Sequence, residues 1–267
     1  MRWVKCHKYF CQYSNITMKP TQADLTFYLN VYNDVDLLPE CLTQFRTVYP
    51  QSRLILRSDG DPNKAIAEIA QEYNGECYYG ERLFTIDKGG EIVHEMLRLF
   101  LANETAYLFK IDPDTRIVRP FKALPDLPCI FGTMQHQGEL FSIQGGCIGF
   151  TLDVVQTLYT SQFFLDPALA KLPPPWVINQ ALRRRPMELG LTSIDWTVGW
   201  AAKKRNIELV DWPEIMSEWQ ITPENDDLRY AVTHPHKLGP PIQGVKRCAL
   251  RYWENVVSTT GHLIPAE

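Results

Sequence analysis

The chain of 267 residues is long enough to bury a large core without a disulfide or a structural metal. Hydrophobic residues make up 45% and charged residues 22%, which excludes a mostly disordered chain. With 27 basic and 31 acidic residues the formal net charge is −4, which argues against a generally basic nucleic-acid-binding protein. The seven scattered cysteines contain no C-x-x-C pair, and no apolar stretch is long enough to span a membrane, so we expect a soluble cytoplasmic protein.

Composition along the chain predicts one main domain with an extension at each end. Residues 1–23 are polar and aromatic without periodicity, and we interpret them as an N-terminal extension. The regular patterns run over residues 24–240, with a natural division between 24–120 and 121–240. Residues 241–267 are interpreted as a C-terminal tail.

The first half alternates short apolar runs with amphipathic ones. The predicted strands are Leu25–Tyr32, Leu54–Arg57, Cys77–Tyr79 and Ala106–Ile111, and the predicted helices are 36–50, 65–73 and 89–103. Strands that alternate with helices at this spacing indicate βαβ units. We therefore predict an α/β fold with a mainly parallel central sheet, helices on both faces, and ligands at the carboxyl ends of the strands.

The second half is less regular. The predicted elements are strands at Cys129–Thr133, Leu140–Thr151 and Ile207–Trp212, and a helix at Asp195–Arg205. Gly145 and Gly146 are expected to break the second of these strands, because adjacent glycines weaken a strand interior. From Glu214 onward the sequence is polar and predicts a loop, which carries His234.

The strongest local motif is Asp112-Pro113-Asp114, placed directly after the fourth predicted strand. Residues two apart in an extended segment point to the same side, so both carboxylates can converge on one ligand. Two such carboxylates suit a hard cation such as Mg²⁺ or Mn²⁺. By itself the motif is also compatible with a solvated turn.

Polar residues also follow the two preceding parallel strands. Tyr32 and Asn33 end the first strand, and Asp59 ends the second. Taken singly, each of these strand ends has a composition that is common in turns. As a set at one edge of the sheet they predict a ligand site, in which Asp59 accepts a hydrogen bond from a nucleobase N–H and Tyr32 packs nearby.

This order of motifs resembles the glycosyltransferases of the GT-A fold, in particular the family 2-like group, over roughly 25–236. The motifs that carry the resemblance are Tyr32-Asn33, Ser58-Asp59-Gly60, Lys88-Gly89-Gly90 and the D-x-D segment. The resemblance implies a nucleotide-sugar donor in the 24–120 half and an acceptor in the 121–240 half. It places Asp112 toward the ribose and the metal, Asp114 on the metal beneath the diphosphate, and Lys88 and Gly89 near the donor.

Two further segments match the family. Ser193-Ile194-Asp195-Trp196 resembles its acidic motif before a helix, which makes Asp195 the candidate base that deprotonates an acceptor hydroxyl. Many members of the family carry Glu-Asp where this chain has Ile194-Asp195. The alternative is that Asp195, or Ser193, caps the helix. The resemblance further implies a third metal ligand from His234 or His236, with Lys237 on the diphosphate. A neutral imidazole suits Mn²⁺ better than Mg²⁺.

These observations predict a metal-dependent hexosyltransferase that uses a nucleotide sugar, with a UDP-sugar ahead of a GDP-sugar. The acceptor is a hydroxyl of a glycan, lipid or small molecule, and no nucleic-acid partner is expected. Transfer is expected to invert the anomeric centre, while the H-x-x-G segment at His236 leaves a retaining reaction open. The alternatives are a sugar-1-phosphate nucleotidyltransferase, which usually has a Gly-rich loop after the first strand, and a non-catalytic GT-A-like module that binds a glycan or a partner.

Overall fold

A seven-stranded sheet runs through the part of the chain that the computed structural model describes, namely residues 17–32, 34–60, 64–83, 89–137, 140–166, 194–218 and 229–235. The strands are β1 Thr17–Met18, β2 Leu25–Val31, β3 Arg53–Asp59, β4 Glu76–Gly80, β5 Tyr107–Ile111, β6 Arg116–Ile117, β7 Leu124–Pro125, β8 Cys129–Gln137, β9 Leu140–Thr151, β10 Glu208–Asp211, β11 Ile215–Glu218 and β12 Val232–Pro235. The α-helices are α1 Leu38–Val48, α2 Lys64–Glu72, α3 Gly89–Leu101, α4 Leu152–Thr160 and α5 Ile194–Arg205.

The strand order in this central sheet is β10-β8-β9-β5-β2-β3-β4. β5, β2, β3 and β4 are parallel neighbours, and β10 is parallel to β8. Only β9 runs antiparallel to both of its neighbours, β5 and β8. The predicted α/β class with a mainly parallel central sheet is therefore confirmed.

Helices cover both faces of the sheet, also as predicted, because the strands are apolar on both sides. On β2, Phe27 and Leu29 belong to the core that includes α1 and α2, whereas Tyr28 between them belongs to the core of α3, α4 and α5. All three side chains are fully buried. This alternation is the ordinary two-residue period of a strand, and it explains why β2 reads as an almost continuous apolar run.

The prediction of a loop from Glu214 onward is wrong for two segments. β11 and β12 pair in parallel, and β12 also pairs antiparallel with β6, forming a separate three-stranded sheet. Each strand is only two to four residues long, too short for a period to show in the sequence. β12 pairs with β6, which is distant along the chain, so no local sequence pattern indicates this pairing.

The break expected at Gly145 and Gly146 is an irregularity within the strand rather than its end. β9 runs over Leu140–Thr151, but its register with β8 shifts between the pairs Gly132–Ile148 and Met134–Ile143, which flank the two glycines. The predicted helix from Asp36 begins instead at Leu38, after a 3₁₀ turn over Val35–Leu37. The end of the predicted N-terminal extension is tied to the domain, because β1 pairs antiparallel with β7.

No helix among the described residues is long and apolar enough to cross a membrane.

Candidate metal centre and neighbouring carboxylates

The candidate site lies along the edge of the sheet where the parallel strands end. Asp112 follows β5 directly, Tyr32 follows β2, and Asp59 is the last residue of β3. Because β5, β2 and β3 are adjacent and parallel, their carboxyl ends lie side by side. In α/β sheets this edge is where ligands bind.

Asp112, Asp114 and His234 form a group of three potential metal ligands within the described ranges, and their ligand atoms all lie within 4.8 Å of one another. Nε2 of His234 is 3.0 Å from Oδ1 of Asp114 and 3.6 Å from Oδ2 of Asp112. The side chains of Asp114 and His234 are 6% exposed, whereas that of Asp112 is 35% exposed. The cluster is therefore buried on one side and open to solvent at Asp112.

This geometry fits a divalent cation. Metal–ligand bonds of about 2.1 Å in octahedral geometry place neighbouring ligand atoms about 3 Å apart. The His234–Asp114 separation matches that edge, and the His234–Asp112 separation is slightly longer. Two carboxylates with one imidazole suit Mn²⁺ and leave further coordination positions for other oxygen ligands.

His234 is held in place by β11. The parallel register of β11 and β12 sets Ser217 opposite His234, and Nδ1 of His234 lies 3.4 Å from the Ser217 hydroxyl. When Nδ1–H donates to that hydroxyl, the lone pair of Nε2 faces the two aspartates. Burial lowers the pKa of His234, but the charges of Asp114 and Asp112 outweigh it and raise the pKa above its ordinary value. The two carboxylates therefore stabilise positive charge beside Nε2, where a cation would lie.

Gly146 of β9 lies where a neighbouring side chain approaches the strand backbone closely. A Cβ on Gly146 would lie 2.1 Å from Cγ of His234, which is too close for two carbon atoms that are not bonded to each other. The backbone carbonyl groups of both glycines accept hydrogen bonds from residues beside the D-x-D motif. Thr115 Oγ1 donates to Gly146, and Lys110 Nζ donates to Gly145. Gly146 therefore leaves the space that the His234 ring occupies in the centre.

Asp195 lies on the other side of the glycine pair. It is the second residue of α5, and its Oδ2 accepts a hydrogen bond from Nε2 of Gln135 at 3.0 Å. A Cβ on Gly145 would lie 3.8 Å from Cγ of Asp195. Asp195 and His234 thus adjoin successive residues of β9, Gly145 and Gly146. The role of Asp195 as a base stays a prediction, as does its alternative role at the start of the helix.

Asp59 lies in a different environment, because cations surround its carboxylate. Oδ1 accepts hydrogen bonds from Arg57 at 2.6 Å and from the backbone N–H of Leu83 at 2.7 Å, and Oδ2 is 3.2 Å from Arg82. Arg82 also stacks over the ring of Tyr32, 3.0 Å from its centroid. The side chain of Asp59 is only 3% exposed. The structure brings Tyr32 and Asp59 together through Arg82, while their contact with a nucleobase stays a prediction.

Arg57 extends the group around Asp59, here called the Asp59 cluster, into the core. It is 1% exposed, and its Nε donates to Glu95 of α3 at 2.5 Å. Its other nitrogens donate to the backbone carbonyl of Glu81 at 2.9 Å and to the Asn30 side chain at 3.3 Å. A buried guanidinium needs such partners, since an unpaired buried charge is strongly unfavourable.

Four predicted site residues lie outside the described residues: Asn33, Lys88, His236 and Lys237. Gly89 begins α3 and is buried. Of the two histidines, His234 lies in the cluster, and the choice between them stays a prediction.

Sequence reasoning missed several residues that shape the site, namely Arg57, Arg82, Lys110, Gln135 and Ser217. A charged residue within an otherwise apolar strand is the signal that marks Arg57 and Lys110. The contacts of Gln135 and Ser217 depend on pairing between distant segments, so their sequence neighbourhoods give no signal.

Comparisons with known proteins gave one kind of match. No protein-family model matches the chain, and no curated protein matches it. Among solved structures, 268 chains match, including a mannosyltransferase, PcManGT from Pyrobaculum calidifontis, in complex with GDP-Man and Mn²⁺. That match has 12% sequence identity and a TM-score of 0.37, and it spans 51% of this chain and 46% of the mannosyltransferase. A likeness at this level, over about half of each chain, says nothing of this chain's ligands.

Proposed function

We propose that this protein is a metal-dependent glycosyltransferase of the GT-A type, which transfers a hexosyl group from a nucleotide sugar to an acceptor hydroxyl. The observation that carries the proposal is the convergence of Asp112, Asp114 and His234 at the carboxyl edge of a parallel sheet. A cation held there would neutralise negative charge on a diphosphate leaving group. The order of motifs from Tyr32 to the D-x-D segment supports a nucleotide donor along the same edge.

The donor side of the proposal assigns roles along the strand ends. Asp112 and Asp114 hold the cation together with His234, and Tyr32 and Asp59 lie toward the base. Tyr32 supports this assignment because the residue is 40% exposed and follows β2 directly, with Arg82 stacked on its ring. Stacking on an exposed aromatic ring is sequence-tolerant chemistry for any nucleobase.

The acceptor side of the proposal depends on Asp195. Its carboxylate is oriented by Gln135 and lies beside Gly145, one residue along β9 from the glycine that contacts His234. From that position it would accept the proton of an acceptor hydroxyl as the hydroxyl attacks, which corresponds to an inverting transfer.

The test is a calorimetric titration of UDP and of GDP, each with and without Mn²⁺, on the wild type and on Asp114→Asn. We expect one nucleotide to bind in a metal-dependent manner, and we expect Asp114→Asn to abolish the metal-dependent part. The substitution keeps the shape of the side chain and removes one anionic ligand. The nucleotide that binds identifies the base of the donor.

Asp153→Asn is the matched control, because Asp153 is an exposed aspartate in the first turn of α4, a helix that contributes no ligand to the cluster. This variant should bind like the wild type. Absence of binding for both nucleotides, with and without Mn²⁺, would overturn the donor site and favour a module that binds a glycan or a partner without turnover.

A further inference from the structure

Lys110 is a lysine in the middle of the central sheet. It lies on β5, between β2 and β9, and its register partners are Tyr28 and Ile148. The residue is 5% exposed, and the flanking Phe109 and Ile111 are fully buried. A buried ammonium group is unfavourable unless charges and hydrogen bonds compensate it, so a lysine here requires specific partners.

Those partners belong to the two sides of the candidate site. Nζ of Lys110 lies 2.5 Å from Oδ1 of Asp112 and donates to the carbonyl oxygen of Gly145 at 2.6 Å. Gly145 in turn adjoins Asp195. Lys110 therefore contacts both Asp112, the first carboxylate of the D-x-D motif, and the part of β9 that adjoins Asp195.

The contact divides the Asp112 carboxylate into two unequal oxygens. Oδ1 is held by Lys110, whereas Oδ2 lies toward His234 at 3.6 Å. A carboxylate with both oxygens available can bind a cation in a bidentate manner, but one whose Oδ1 is ion-paired offers a single oxygen. The lysine charge also offsets the negative charge of Asp112, which weakens the attraction of that carboxylate for a divalent cation.

We propose that Lys110 is a positioning residue that restricts Asp112 to one metal-binding oxygen and keeps the affinity for a free divalent cation low. The cation is then held firmly only when a ligand with its own negative charge, such as a diphosphate, completes the coordination. The inference rests on the metal-binding part of the proposed function, but its main test requires no nucleotide.

The experiment measures Mn²⁺ binding alone, by calorimetry and by electron paramagnetic resonance of the bound ion, in the wild type and in Lys110→Met. We expect Lys110→Met to bind free Mn²⁺ roughly tenfold more tightly, within the range of coupling measured for contacting residues. We also expect the resonance spectrum of the bound ion to change, because Asp112 gains a second available oxygen. A merely structural lysine would give the opposite sign, since loss of order at Asp112 weakens binding. Unchanged or weaker binding by folded Lys110→Met overturns the proposal.

A double-mutant cycle with Asp112→Asn tests whether Lys110 acts through Asp112. In the Asp112→Asn background, Lys110→Met should change Mn²⁺ affinity by less than about threefold, because the oxygen that Lys110 holds is no longer anionic. An equal effect in both backgrounds would mean that the lysine acts only as a distant charge, which overturns the positioning role. If Lys110→Met does not fold, Lys110→Gln replaces it in the same cycle. It removes the charge paired with Asp112, so Mn²⁺ should still bind more tightly, and unchanged or weaker binding overturns the proposal.

Lys204→Met is the matched control for loss of a lysine charge. Lys204 is exposed near the end of α5, so this variant should bind Mn²⁺ like the wild type. Titration with UDP and GDP then separates the two proposals. Metal-dependent nucleotide binding by the wild type, with no effect of Lys110→Met on free Mn²⁺, contradicts the role of Lys110 alone. Tighter Mn²⁺ binding by Lys110→Met without any nucleotide binding contradicts the proposed function alone.

Discussion

Two aspartates stand at the carboxyl ends of β3 and β5, separated only by β2, yet their surroundings differ. Asp59 has a side chain that is 3% exposed, and both of its oxygens contact arginines. Asp112 is 35% exposed, with one oxygen held by a lysine and the other beside His234. The same residue type at the same edge is therefore paired with two arginines in one case and with one lysine in the other.

The difference is one of charge compensation. In the Asp59 cluster the guanidinium groups of Arg57 and Arg82 balance the carboxylates of Asp59 and Glu95. In the metal centre Lys110 pairs with Asp112, and His234, which is neutral when it ligates, lies beside both aspartates of the D-x-D motif. Carboxylates grouped with an imidazole, rather than with guanidinium groups, form a set of metal ligands. Convergent carboxylates alone therefore do not distinguish a metal site from an internal ion-pair network.

The largest effect is expected when Arg57, the buried arginine of the Asp59 cluster, is replaced. Arg57→Met should lower the free energy of unfolding by about 3–5 kcal/mol, because it leaves Asp59 and Glu95 without their buried partner. Urea denaturation monitored by circular dichroism measures the change.

Arg98→Met is the control, since Arg98 also contacts Glu95, at 3.8 Å, but its side chain is 52% exposed. An exposed pair of this kind contributes about 1 kcal/mol or less. Equal destabilisation by both substitutions would mean that the Arg57 network is not a buried structural element, and the contrast between the two clusters would fail.

The next effect concerns the metal centre. Mn²⁺ at a concentration one hundred times its dissociation constant should stabilise the wild type by about 2.7 kcal/mol, because it binds only the folded state. His234→Gln should lose most of this stabilisation, whereas Arg82→Met, in the other cluster, should keep it. Thermal unfolding with and without Mn²⁺ measures both. Equal Mn²⁺ stabilisation of His234→Gln and the wild type would exclude His234 as a ligand.

The smallest effect comes from the glycines between the metal centre and Asp195. Gly146→Ala should cost about 1–3 kcal/mol, because its Cβ would overlap the His234 ring and force it to move. It should also weaken Mn²⁺ binding. Gly145→Ala is the neighbouring control, since its Cβ would make only ordinary contacts of 3.8–3.9 Å with Asp195. Chemical denaturation and Mn²⁺ titration of the pair distinguish them, and identical behaviour would contradict the packing described for His234.

Much of the fold follows from local patterns. The apolar runs of β2, β3 and β5 and the four-residue period of α3 predict their elements to within one or two residues, because burial on both sheet faces or on one helix face leaves a period in the sequence. The short strands β11 and β12 leave none. The two glycines of β9 indicate the irregular register with β8, but not the approach of His234 to Gly146, which comes from a distant element.

The sequence by itself determined that Asp112 and Asp114 follow a buried central strand and that a parallel sheet carries them at its ligand-binding edge. Only the tertiary structure decided that His234, 120 residues beyond Asp114, joins them, and that Lys110 occupies one oxygen of Asp112. The physical reason is the separation along the chain of the residues that each property depends on. Hydrophobic periodicity is a property of neighbouring residues, whereas the charge and coordination of a site depend on contacts between segments that meet only when the sheet has formed.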